Sequence, residues 1–200
     1  MGKKILMGVV LISTVVVLLS GCAGSTKYMR EVDDSDVAYT PGADEAIVVF
    51  MRPSVDGWAV QSVVHDATEV NNKLIGIVPA KKKLAYRTKP GRHLFMVTSE
   101  AADFMRAELE AGKIYYATVN PRIGWTVRFS LAAVHKDIEP EKLAQWKTGC
   151  QWVETTGETR AWALQRYGTF QELREAYIDK WENKPDSAKP TLRPEDGFSP

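Results

Sequence analysis

Residues able to act as nucleophiles, bases or metal ligands are few in this chain and far apart. The three histidines, His65, His93 and His135, have no second ligand at the short spacing that zinc sites use. A metal centre would need all three to converge in space, so neither a metal nor a cofactor is expected. His93 reads as a half-buried strand residue and His65-Asp66 as a surface turn pair. The chain has no G-x-S-x-G elbow, no H-E-x-x-H, no S-x-x-K and no phosphate-cradling glycine loop. The expectation is therefore a protein that is not an enzyme. A hydrolase whose Ser, His and Asp come from unrelated segments is the catalytic alternative. Of the two cysteines, Cys150 reads as a small buried hydrophobe. Cys22 stands in a different context, described below.

Two features suit binding better than catalysis. Lys81, Lys82 and Lys83, with Arg87, Lys89 and Arg92 close behind, form the main basic run. Gathered at one end of a fold, they would meet lipid headgroups, lipopolysaccharide phosphates or an acidic protein face. The plainer reading is a set of solvated loop and edge-strand cations that discourage edge pairing. Six tryptophans are many for this length, and core packing is their default role. Trp58 differs, because it follows Asp56-Gly57 at a strand start. Exposed there, and joined by Tyr115 or Tyr116, it would stack on a sugar ring.

The N-terminus says where such a site would be held. Lys3 and Lys4 precede an apolar run from Ile5 to Leu19, which is shorter than the roughly 20 residues that span a bilayer. Leu19-Ser20-Gly21 then leads into Cys22, and this looks like the lipobox of a bacterial lipoprotein. The resemblance implies cleavage before Cys22, diacylation of its thiol and acylation of the new N-terminus. Three acyl chains make a durable anchor where one binds only marginally. Ala23 occupies the position where an Asp would imply inner-membrane retention, so the expected location is the outer membrane, facing the periplasm. Losing residues 1–21 removes two lysines and no acid, which moves the formal charge from +1 to −1. A nearly neutral chain argues against a nucleic-acid partner.

The elements that must position these residues are mostly strands. Residues 22–43 are polar and read as a lipidated terminus and flexible tether. A β-sandwich domain is expected over 44–136. Its strands are Glu45–Met51, Trp58–Val64, Lys73–Val78, Lys83–Thr88, Arg92–Thr98, Asp103–Glu110, Lys113–Val119 and Trp125–Leu131. Asp103–Glu110 consists mostly of good helix formers, but its apolar residues alternate with charged ones, so it is read as a strand. In the last strand Trp125, Val127, Phe129 and Leu131 form the inward set.

Residues 137–183 read as a helical extension. One helix opens at Glu139-Pro140 and closes at Gly149, and a second runs from about Gly157 to Tyr167. A third is announced by a capping-box pattern, Thr169-x-x-Glu172. Its stripe Phe170, Leu173, Tyr177, Trp181 should lie on the sandwich. Residues 184–200, rich in proline and polar side chains, read as a disordered tail. The fold class is thus mainly β with C-terminal helices: an antiparallel sandwich of about eight strands followed by two or three short helices.

Strand-ending Arg52-Pro53, the turn Pro90-Gly91-x-His93 and Ala111-Gly112-Lys113-x-Tyr115-Tyr116 recur in order. Together they resemble a family of bacterial envelope lipoproteins that carry a domain of unknown function, similar to PEGA-like or transthyretin-like sandwiches. The resemblance covers roughly residues 44–135 and the lipobox, and it brings no catalytic residues. The expected function is a lipid-anchored, non-catalytic binding or scaffold module for an envelope protein partner. A glycan- or peptidoglycan-binding module is the alternative.

Overall fold

The computed structural model describes residues 28–37 and 39–200. Cys22 and the leader before it lie outside the described residues. Each of the eight expected strands has a counterpart, although the expected Trp58–Val64 survives only at Val63 and Val64: β2 Ala46–Met51, β3 Val63–Asp66, β4 Lys73–Ile77, β5 Lys82–Thr88, β6 Gly91–Thr98, β7 Ala102–Leu109, β8 Ile114–Ile123 and β9 Val127–Ala133. Three more come from segments read otherwise: β1 Met29–Val32, β10 Gln151–Thr155 and β11 Thr191–Leu192. The strands form a six-stranded sheet, β1-β10-β5-β2-β8-β9, and a five-stranded sheet, β11-β7-β6-β3-β4. Most pairings are antiparallel, but β2 with β8, β10 with β5 and β11 with β7 are parallel.

Residue types explain the layering. β2 reads Ala-Ile-Val-Val-Phe-Met and is buried at every position, because both of its faces are covered. Val48 and Phe50 point between the sheets, where they meet Phe95, Val97, Met105 and Tyr115. Ile47, Val49 and Met51 point outward and are covered by Tyr39, Leu143, Trp146 and Trp152. Helix α1, Pro140–Gly149, supplies Leu143 and Trp146 and has proline in its first turn, as its sequence predicts. On the far side, Trp181 of α3, Tyr167–Glu182, packs with Phe104, Met96 and Ala67. The Phe170–Leu173–Tyr177–Trp181 stripe therefore lies on the sandwich, as its spacing predicts. α3 starts earlier than expected, however. Arg166 ends α2, Gly157–Gln165, and also opens α3, so the Thr169-x-x-Glu172 pattern falls inside the helix. Among the described α-helices, the capping box that forms belongs to α2, between Thr156 and Thr159.

Four expectations are corrected. The tether does not extend to residue 43, because β1 pairs with β10 from Met29↔Thr155 to Val32↔Trp152. The extension is not purely helical, because β10 carries Trp152 and Val153 into the core and its edge accepts β1. The tail is not disordered. Leu192 is fully buried, and the Asp196 carboxylate accepts from the backbone N–H groups of Arg193 and Lys136. Phe198 exchanges both backbone hydrogen bonds with Ile114. Proline limits this stretch to short 3-10 turns, Asp186–Ala188 and Pro194–Asp196, and permits extended pairing at an edge, where Leu192 and Phe198 anchor it. Finally, Trp125 is not inward. The β8–β9 ladder runs on to Ile123↔Val127, so Trp125 sits at the hairpin tip, beyond the sheet it was assigned to.

Candidate functional site: an aromatic tip beside a cationic cleft

The loop after β2 is organised by Arg52, which is fully buried. Its Nη1 donates to the Val60 carbonyl at 3.1 Å, and its Nη2 donates to those of Asp56 and Gly57 at 2.9 and 2.7 Å. The guanidinium lies over the Phe129 ring, 4.4 Å from its centroid. Burial lowers its pKa to about 10, which leaves it charged near neutrality. One cation thus folds residues 53–60 back onto β9. At the turn, Gly57 has φ +64°, and a Cβ there would lie 2.6 Å from Val127 Cγ1. Trp58 is consequently not the first residue of a strand but part of a turn, 58% exposed.

Ile123 and Trp125 lie at the adjoining hairpin tip in solvent, and Val55 is exposed in the loop. Four large apolar side chains, two of them tryptophans, thus share one end of the sandwich without burial. Tyr115 and Tyr116 are not among them: both are buried, and Tyr116 bonds Tyr39 through its hydroxyl. The tyrosines expected beside Trp58 are therefore not available to it, and the other exposed ring at this end is Trp125.

Beside this tip runs a cleft of about 530 Å³ between the β8–β9 hairpin and α3. Arg122, Arg128, Lys180 and Lys184 line it, with Asp103 and Tyr177. Arg122 and Arg128 face each other across the ladder, an arrangement that costs stability unless an anion relieves it. Arg122 Nε donates to Ser130 Oγ at 2.9 Å, and Lys184 lies 3.4 Å from Asp103. Among the described residues no carboxylate lies within ion-pairing distance of Arg122, Arg128 or Lys180.

The expected basic cluster does not assemble. Lys81 and Lys89 flank opposite ends of β5, roughly 25 Å apart at the usual strand rise. Lys83 is buried. Its Nζ donates to the Lys147 carbonyl at 2.6 Å, approaches Asp34 at 3.7 Å and sits over the Trp152 ring. Burial lowers its pKa despite Asp34. Lys82 pairs with Glu31 at 2.6 Å, and Arg87 pairs with Glu45 at 2.8 Å and donates to the Thr40 carbonyl. These three cations fasten β1 and the segment before β2 to the sandwich. Only Lys81, Lys89 and Arg92 of the run are exposed and absent from ion pairs among the described residues. No motif marks Arg122 or Arg128, and Arg52 and Trp125 read from sequence only as a strand end and an inward ring. The exposed hairpin is legible only once strand length is known.

The histidines do not converge. His65 and Asp66 form no surface turn; both lie in β3, where they are buried. His65 faces the ring of Phe170 at 4.6 Å, bonds Thr98 Oγ1 at 3.2 Å, and is driven down to a pKa of about 3 by burial, hence neutral. His93 stacks on Phe95 and bonds Asp66 at 3.3 Å, while His135 bonds Asp196 at 3.0 Å. Among the described residues, no three His, Cys, Asp or Glu side chains are placed to hold a metal ion. No helix there is long and apolar enough to cross a membrane. Cys150 is buried, and burial raises its thiol pKa, which makes it a poor nucleophile. A scan against protein-family models finds no family that matches the chain, and a search of curated proteins finds no relative.

Proposed function

We propose that this protein is a lipid-anchored, non-catalytic module of the bacterial cell envelope that presents its tip and cleft to an acidic segment of a partner protein. The observation that carries the reading is the direct opposition of Arg122 and Arg128 beside solvent-exposed Trp125 and Ile123. Uncompensated like charges and exposed apolar surface both cost the free protein something. Both costs are relieved by a partner that brings carboxylates and buries the rings. The lipobox-like Cys22 supports attachment through acyl chains, and Ala23 supports outer-membrane sorting to the periplasmic face. The family resemblance to envelope lipoproteins points the same way.

A photo-reactive residue at position 125, introduced into the chain in its native cell, tests the reading. A discrete protein adduct that disappears in Arg122→Glu/Arg128→Glu is expected. Labelling that is diffuse, or unaltered by the charge reversal, contradicts it. The exposure of both Trp58 and Trp125 favours a second reading, an acidic glycan stacked on the two rings. Retention on purified sacculi, lost in Trp58→Ala/Trp125→Ala and accompanied by no protein adduct, would select it.

A further inference from the structure

Tyr28 is held at the start of α2. The Thr156 and Thr159 hydroxyls, at the start of α2, both donate to the Tyr28 carbonyl. The Tyr28 ring lies 5.2 Å from that of Trp162 in the same helix. Six Cα steps separate Tyr28 from Cys22, and in any conformation they reach at most roughly 20 Å. A folded body of this size is roughly 40 Å across. With Cys22 acylated, Tyr28 therefore lies within roughly 20 Å of the lipid surface. β10 runs from Gln151, beside Lys82, toward Thr155, and β1 enters antiparallel at Thr155. The aromatic tip thus belongs to the other end of the strands.

That surface has the composition a headgroup layer accepts. Leu164 of α2 and Val70, in the β3–β4 turn, are 76% and 78% exposed. Tyr167 and Gln171 of α3 bind the β3–β4 turn through Asn71 and Val70, and Tyr167 and Asn72 line one groove with Leu164. Arg160 lies one turn before Leu164, with Lys73 across a groove of about 310 Å³ that both residues and Leu164 line. Arg166 covers the Trp162 ring at 4.7 Å. Glu158 opens the helix and Glu69 precedes Val70, so the face is cationic only around the groove.

We propose that this face, Leu164 and Val70 with Arg160 and Lys73, rests on the anionic phospholipid headgroups of the leaflet that holds the acyl chains. The proposal rests on the acylation of Cys22. Contact there fixes the orientation of the domain and turns Trp125, Ile123 and the cleft away from the membrane. Exposed cations near an anionic surface and apolar side chains at headgroup depth act together in such binding.

The test uses the mature protein in phosphatidylethanolamine–phosphatidylglycerol vesicles. Nitroxides are placed on Leu164→Cys and, separately, Trp125→Cys; buried Cys150 stays unlabelled. Mass spectrometry of the same samples reports the state of Cys22. The expected result at 164 is raised collision with oxygen and lost collision with a water-soluble nickel chelate, while 125 behaves as in water. A water-like signal at 164 with Cys22 acylated overturns the docking alone, as does lipid contact at 125 instead. A bare Cys22 thiol overturns the anchor and the docking with it. Neither substitution touches the core, so misfolding does not mask the outcome.

Discussion

Arg122 and Arg128 occupy directly opposed positions on β8 and β9, two guanidinium groups at one cross-strand site. Replacing one by an acid turns repulsion into attraction. Arg128→Glu is expected to raise stability by up to about 1 kcal/mol in denaturant unfolding, while abolishing the adduct formed at position 125. A variant that loses stability, or keeps the adduct, would mean that the pair is not an anion site.

Arg52 holds three carbonyl groups with one side chain. Arg52→Leu leaves the carbonyls of Asp56, Gly57 and Val60 without their donor and should cost about 2–4 kcal/mol. Arg52→Lys should rescue little, because one ammonium cannot span the positions that a planar fork reaches. Hydrogen exchange across residues 54–60 should rise sharply in both variants. Protection as in the parent chain would mean that the loop is held by other contacts.

The His93–Asp66 pair predicts a pH dependence. Burial opposes the charged form of His93, yet its bonds to the Asp66 carboxylate and the Lys89 carbonyl carry its pKa above the usual imidazole range. Burial likewise pushes the Asp66 pKa up, but bonds from His93, Thr68 and Tyr86 hold it well below the carboxylate range. A raised histidine stabilises fully below its unfolded pKa, about 6.5, and that contribution is lost as pH rises through the folded value. Asp66 contributes above its unfolded pKa of about 3.9, and its share is lost as pH falls through the lower folded value. Melting temperature should therefore decline as pH rises above about 6.5, through the raised folded value of His93, and Asp66→Asn should flatten that decline. An equal decline in the variant would assign it to other groups.

Leu192, in a stretch that reads as tail, is fully buried among the residues between the sheets. Leu192→Ala should destabilise the whole domain by about 2–5 kcal/mol. A midpoint unchanged in denaturant would mean that the C-terminal segment detaches freely.

The sandwich was legible because β2 to β9 carry dense apolar runs or clean alternation between turn-forming residues. Asp103–Glu110 proved the strength of periodicity: its helix formers pair in register with β6 from Ala102↔Thr98 to Leu109↔Gly91. The three added strands were hidden by brevity. β11 has two residues, and β1 reads Met-Arg-Glu-Val, buried only at its ends. Each is ordered by an edge it joins, which is tertiary information. The tip was hidden for the opposite reason. Alternation in 125–131 continues past the end of the sheet, and nothing in residue type marks where the cover stops. The basic run misled because β5 distributes its cations along its length and between its faces, and β1 and the segment before β2 claim three of them.

Attachment of this domain to a bilayer through Cys22 is tested most directly by the mass of the mature N-terminal peptide. Isolated from membranes and digested, it should begin at Cys22 and carry the mass of a diacylglyceryl group and a third acyl chain. A peptide that begins there with an unmodified thiol, or one that retains residues 1–21, would contradict it.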